Sequence, residues 1–283
     1  MSEKKQVMRK ICLIGEAAVG KTSLIRRFVY DKFEDRYIAT IGTKTSAKEL
    51  IINMDDKKYQ LILQIWDIIG LRCFAKLQTR AYTGANGAIF VLDRTRKGTW
   101  HAFGNWLLSL YRVTGEIPVI VLANKTDLQS KYDNNEIENY IKKFGFECTF
   151  TSAKTGENVD DAFQNLGELM LKPWPKKNLI PTLEKSITME MEPEMEMERK
   201  LSIFEVENII LARYCDLLED PDIAMSIINE QFRKADVGFM NLSVQRLNMV
   251  VENLIKAAMN RVEPVRLKNE LKAYSNLIKM IDH

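Results

Sequence analysis

Lys21 and Thr22 close the stretch Gly15-Glu16-Ala17-Ala18-Val19-Gly20-Lys21-Thr22, in which two glycines five positions apart precede a lysine and a hydroxyl residue. That spacing suits a loop whose backbone N–H groups converge on phosphate oxygens. The glycines let the chain fold back on itself, the lysine adds a mobile cation, and the hydroxyl can ligate a divalent ion. The loop leads from the apolar run "ICLIG" into "TSLIRRF", where Ser23 lies in the first turn of an amphipathic helix whose N-terminus adds partial positive charge. Lys21 is therefore expected to bridge the β- and γ-phosphates of a nucleotide, and the Thr22 hydroxyl to ligate Mg²⁺.

A phosphate loop does not choose its base. "NKTD", Asn124 to Asp127, follows the apolar run "IPVIVLA", and a carboxylate set edge-on can accept from both N1–H and the exocyclic amine of guanine, a donor pair adenine lacks. Asp127 thus implies guanine over adenine and argues against an ATPase. Asn124 is expected to brace neighbouring loops, and the aliphatic stem of Lys125 to cover one face of the base. Further on, "TSAK" (Thr151, Ser152, Ala153, Lys154) ends another strand, with the Ala153 N–H placed for guanine O6 and Lys154 for the base's other face. A lone Asn-Lys-x-Asp is a common turn or cap sequence. These motifs in order, each at a strand's C-terminal end, form a far more specific signal.

Through "GEAAVGKTSLIRRF", "YIATIG", "WDIIG", "NKTDL" and "TSAKTGENV", the region from about Lys10 to Leu171 resembles a Ras-superfamily small GTPase, closest in pattern to the Rab branch. The resemblance implies an α/β P-loop G domain: a mixed, mostly parallel six-stranded sheet with helices on both faces. It also implies that Phe33 packs against the guanine and Tyr37 lies over the phosphates. Thr40 would ligate Mg²⁺ and touch the γ-phosphate, Asp67 would hold the metal through water, and the Gly70 N–H would bind the γ-phosphate. Effectors and regulators would read switch loops 34–43 and 70–82.

Leu71 departs from the pattern. The family usually has Gln there, orienting the attacking water, and leucine can neither donate nor accept. Hydrolysis is expected to fall below the ~10⁻⁴ s⁻¹ of an unassisted Ras-type site. Ala18 stands where an asparagine can hold a substituting potassium ion, Ala17 replaces a glycine that admits an arginine finger, and Arg72 replaces a frequent Glu. Two functions follow as alternatives: a switch enzyme that hydrolyses GTP slowly, or a scaffold that stays loaded with GTP.

Positioning such a site needs strands that deliver their C-terminal ends to one rim. Residues 7 to 171 alternate short β-rich runs with amphipathic stretches, the pattern of an α/β sheet. "ICLIG", "GAIFVLD" and "IPVIVLA" read as buried parallel strands, while "KELIINM" and "YQLILQIWD" flank the turn-forming Asp55 and Asp56 as an antiparallel hairpin. Helices are expected over Lys21 to Tyr30, Trp100 to Val113, Asn134 to Phe144 and Asn158 to Leu171. The G domain is thus expected over 1–171.

From Lys172 to Lys200, four prolines and a Met/Glu alternation offer no consistent face, which predicts a tether. Over 201–283 helical periodicity returns. Leu201, Phe204, Leu211, Tyr214 and Leu218 mark one helix; Ile223, Ile227 and Phe232 a second ended by Gly238; Leu247, Val250, Leu254 and Ala258 a third. Pro264 opens a fourth with Leu267, Leu271, Tyr274 and Ile278. Four such helices read as a small all-α bundle, expected to bind protein or to self-associate.

At 283 residues, 46% apolar and 28% charged with net charge +3, the composition is that of a soluble globular protein with no demand for nucleic acid. Cys12, Cys73, Cys148 and Cys215 lie far apart, suiting reduced thiols in the cytoplasm. No apolar run approaches the ~18 residues of a membrane span, and the expected absence of C-terminal cysteines and of an N-terminal Met-Gly predicts no covalent membrane anchor.

Overall fold

The computed structural model describes residues 4–33, 43–55, 57–68, 75–191, 203–235 and 243–281. The chain divides into two compact units, the first carrying the sheet, the second carrying the helices from Ile203 onward.

In the first unit, β1 (Lys4–Ile14), β2 (Thr43–Met54), β3 (Lys57–Ile68), β4 (Gly87–Asp93), β5 (Val119–Asn124) and β6 (Cys148–Thr151) form one sheet in the order β2-β3-β1-β4-β5-β6. β2 runs antiparallel to β3, and every other neighbouring pair is parallel. This is the mixed six-stranded architecture that the family resemblance implies. The hairpin is longer than its apolar core: β2 begins at Thr43, opposite Ile68, and Lys44 and Thr45 are exposed on this edge strand.

Period-two alternation sends successive side chains to opposite faces of the central strands. Cys12, Ile14, Phe90, Leu92, Val121 and Ala123 enter one core, while Ile11, Leu13, Ile89, Val91, Ile120 and Leu122 enter the other. Two helices cover the second face: α1 (Lys21–Tyr30) and, numbered in chain order, α6 (Val159–Leu169), where Phe28 stacks on Phe163 with ring centroids 3.9 Å apart. Between them in sequence lie α2 (Ala75–Tyr82), α3 (Lys97–His101), α4 (Phe103–Thr114) and α5 (Asn134–Lys142). Trp100, Trp106, Leu107 and Ile141, from α3, α4 and α5, fill the first face. The single helix expected from Trp100 starts earlier and is interrupted, with α3 ending and α4 beginning around Ala102.

Within the expected tether over 172–200, α7 (Leu179–Met191) forms and packs against α4. Its partners lie far back in the chain. Glu116 accepts from the Lys177 N–H at 2.5 Å and from the Leu179 N–H, capping the helix from outside. Arg112 pairs with Glu184 at 2.7 Å, and Leu183 is buried. Pro181 sits in the first turn, where no intrahelical bond is lost. Three apolar residues at the start were too few for periodicity to reveal this face. The Met/Glu repeat from Glu192 lies outside the described residues. Replacing Leu183 with Ala is expected to lower the first unit's stability by about 2 kcal/mol, read from the urea midpoint; an unchanged midpoint would mean that α7 contributes no stability.

The second unit contains α8 (Ile203–Leu218), α9 (Pro221–Lys234), α10 (Val244–Ala258) and α11 (Pro264–Lys279). α8 packs on α9, α10 and α11, and α10 packs on α9 and α11. Asp220 caps α9 by accepting from the Ile223 N–H at 3.0 Å, with Pro221 next in line. Tyr214 donates its buried hydroxyl to the Leu254 carbonyl at 2.9 Å, and Arg213 holds Glu270 through two bonds of 2.7 and 2.8 Å. The face of α9 is rotated by one residue from the expected one: Ala224 and Ile228 are buried, whereas Ile223 is exposed. Leu271 is likewise exposed. The buried stripe of α9 also takes in Gln231, and a reading of large apolar side chains passes over both Ala224 and Gln231. Leu201 and Gly238 lie outside the described residues.

Candidate functional site

Strand register brings the chemistry to one rim. Leu13 pairs with Asp67, Asp93 with Asn124, and Asn124 with Thr151, so β1, β3, β4, β5 and β6 all end beside one another. The loop Gly15 to Gly20 rises from β1 at this rim and feeds α1.

Two positions in that loop admit only glycine. Gly15 has φ +130°, and an added Cβ would stand 2.2 Å from the Val91 carbonyl oxygen. Gly20, at φ +105°, would drive a Cβ to within 2.2 Å of Asn124 Nδ2. Ala18 takes a left-handed conformation at φ +61°, an uncommon and strained choice for a residue with a Cβ. Val19 is buried beneath the loop, and Ser23 is half-buried in the first turn of α1.

Lys21 is buried and folds back over the loop, its Nζ donating to the carbonyls of Gly15 at 2.8 Å and Glu16 at 2.7 Å. Burial pushes its ammonium down to about 8, against the pull of the Asp67 and Glu16 carboxylates, while the Arg96 charge adds to the push. A polyanion delivered here would restore the favoured charged form. The Thr22 hydroxyl donates to Asp67 Oδ2 at 2.5 Å, and Asp67 is buried. Two hard oxygen donors in contact at the mouth of a phosphate loop fit a magnesium ion, which prefers few protein oxygens plus water and substrate phosphates.

Asn124 ties three loops together. Its Nδ2 donates to the Val19 carbonyl at 2.8 Å, and its Oδ1 accepts from the Ala153 N–H at 3.1 Å and the Thr151 hydroxyl at 3.5 Å. The Ala153 amide, expected at guanine O6, is thus engaged by Asn124. Asp127 is exposed on the rim, and its Oδ1 accepts from Ser152 Oγ at 2.6 Å. Ser152 Oγ in turn accepts from the Lys154 and Thr155 amides at 3.2 and 3.1 Å. Lys154 itself is exposed. Lys125 stretches across to Asp93, Nζ to Oδ2 2.7 Å. Phe33 is half-buried against the α1/α6 core. Tyr37, Thr40, Gly70, Leu71 and Arg72 lie outside the described residues, as do 34–42 and 70–74 of the switch segments.

Several supports carry no motif. Arg27 of α1 holds the Thr151–Lys154 segment by donating to the carbonyls of Ala153 at 3.1 Å and Lys154 at 2.6 Å. Trp106 of α4 donates its indole N–H to Glu16 at 3.1 Å. Asp93, at the end of β4, collects Lys125, Arg96 and Thr95. Burial alone would raise the Asp93 carboxyl, but the Lys125 and Arg96 cations hold it below the usual carboxylate range. A charged residue ending an apolar strand was the one available sign.

A family model described as Ras family matches residues 10–172. GTP-binding protein YPT53 of Saccharomyces cerevisiae is 35% identical over 178 residues, covering 60% of this chain and 78% of that protein. Ras-related protein Rab-13 of Bos taurus is 34% identical over 167 residues, 58% of this chain and 80% of that one. Ras-related protein Rab-2B of Dictyostelium discoideum is 33% identical over 166 residues, with the same coverage.

Proposed function

Because the chain belongs to the Ras family, a family of GTP-binding switches, we propose that it binds GTP and GDP with Mg²⁺ and turns GTP over slowly. One observation carries this reading: the phosphate loop and the Asp127 loop share a rim and are joined through Asn124. Lys21 would exchange its two loop carbonyls for β- and γ-phosphate oxygens. Mg²⁺, held by Thr22 and through water by Asp67, with Thr40 joining in the GTP state, would neutralise charge on the phosphates. The Gly70 N–H would meet the γ-phosphate. Leu71 leaves the attacking water without its usual positioning group, which is the reason for slow turnover.

Single-turnover phosphate release tests this. Leu71→Gln is expected to speed hydrolysis at least tenfold, with Thr40→Ala slower than wild type; equal rates for wild type and Leu71→Gln would remove Leu71 as the cause. The second reading, a scaffold that stays loaded with GTP, is favoured by Leu71 alone. Nucleotide extracted from fresh protein separates the two, GDP marking a working enzyme and GTP a loaded scaffold.

Segments 34–43 and 70–82 are proposed to meet effectors and regulators, and the helical unit to bind protein or a second copy. Among the described residues no helix is long and apolar enough to cross a membrane. The free thiols of Cys12, Cys148 and Cys215 support a cytoplasmic setting.

A further inference from the structure

Arg96 reaches the phosphate loop from the end of β4. Its Nε donates to Asp93 Oδ2 at 3.0 Å, and its Nη2 donates to the Ala17 carbonyl at 2.8 Å. The anchor is rigid. Asp93 is buried, its Oδ1 accepts from the Thr95 N–H at 3.0 Å and the Thr95 hydroxyl at 2.7 Å, and its Oδ2 also takes Lys125. The Asp93 N–H is itself held by Thr99 Oγ1 at 3.0 Å. The guanidinium is a planar fork, so fixing one edge on Asp93 fixes where the other can donate.

The carbonyl it holds belongs to the peptide between Ala17 and Ala18. In a trans peptide the C=O and N–H point in opposite directions. A donor that pins the Ala17 oxygen on the outside of the loop therefore turns the Ala18 N–H toward the concave side, where phosphates would lie. The same bond steadies the left-handed backbone of Ala18, and a cation on the oxygen polarises the peptide so that its N–H becomes a stronger donor. The Arg96 charge also reaches Lys21.

We propose that Arg96 is a positioning residue for GTP hydrolysis: braced on Asp93, it holds the Ala17 carbonyl outward so that the Ala18 amide faces the polyphosphate. This rests on the nucleotide reading above. Charge builds on the leaving and equatorial oxygens as the γ-phosphoryl group departs, and an amide set in advance stabilises that charge more than it does the ground state. Arg96 thus acts on rate more than on affinity. In a site whose water lacks a glutamine, the loop carries a larger share of the catalysis.

The test compares wild type, Arg96→Ala, Arg96→Lys and Lys97→Ala in single-turnover GTP hydrolysis, GDP affinity and thermal midpoint. Lys97 pairs with the exposed Glu136 rather than with Asp93 or Ala17, and its replacement is expected to leave rate and GDP affinity unchanged. Arg96→Ala is expected to hydrolyse GTP about tenfold more slowly, with GDP affinity within about threefold of wild type. Arg96→Lys is expected to fall nearly as far, since a single ammonium lacks the fork that spans Asp93 and Ala17. Rates within twofold of wild type, or a wild type that binds nucleotide without hydrolysing it, would overturn the role. So would a joint, proportional loss of rate, GDP affinity and thermal midpoint, the mark of a purely structural brace. A wild type that binds no guanine nucleotide would defeat the function reading itself.

Discussion

Asp127→Asn is expected to turn the site from guanosine to xanthosine nucleotides, lowering GTP affinity by about 10²- to 10³-fold. The hydrogen-bond directions explain why. Ser152 Oγ already accepts two amides, so its proton is committed to Asp127 Oδ1. An asparagine keeps that bond by turning its carbonyl toward Ser152, which leaves an NH₂ facing the base. Guanine presents donors there and would be repelled, its N1–H and amine left without an acceptor. Xanthine presents a carbonyl oxygen in place of the exocyclic amine and would be accepted. Displacement of a fluorescent guanosine diphosphate by unlabelled guanosine and xanthosine diphosphates reads the switch. A variant that keeps the wild-type preference would show that Asp127 does not read the base.

The second large effect concerns the loop's first glycine. Gly15→Ala is expected to destabilise the first unit by about 4 kcal/mol or more, measured as a shift in urea midpoint, and to weaken nucleotide binding in the fraction that folds. The new Cβ would lie 2.2 Å from the Val91 oxygen and 3.2 Å from its carbonyl carbon. Neither can retreat, because β4 is buried throughout and pairs with β1 on one side and β5 on the other. The backbone at φ +130° also excludes an alanine. Folding with an unchanged midpoint would mean that β1 and β4 separate more readily than their pairing indicates.

The phosphate loop, the Asn124–Asp127 turn and the sheet class could all be read in advance, because each depends on chemistry within a few residues: a glycine where no side chain fits, a carboxylate with one acceptor geometry, apolar runs of strand length. What escaped depends on partners distant in sequence. Glu116 caps α7 from the far end of α4 across some sixty positions, and nothing near Leu179 announces a helix that docks. Arg27 and Arg96 look like surface cations until folding sets them on the carbonyls of Ala153 and Ala17. In α9 the buried stripe runs through Ala224, Ile228 and Gln231, one position off the large residues Ile223, Ile227 and Phe232 that mark it in the sequence. The place of the Ala153 amide in its motif points it to the base, and its bond to Asn124 depends on a strand neighbour 29 positions back.

Asn124 is a single side chain gripping both halves of the pocket, one through Val19 and the other through Ala153. Prying either loop outward strains the amide that restrains its neighbour. A catalyst of nucleotide release need therefore push on only one side: loosening the seat of the base would slacken the hold on the phosphates, and the occupant would escape whole.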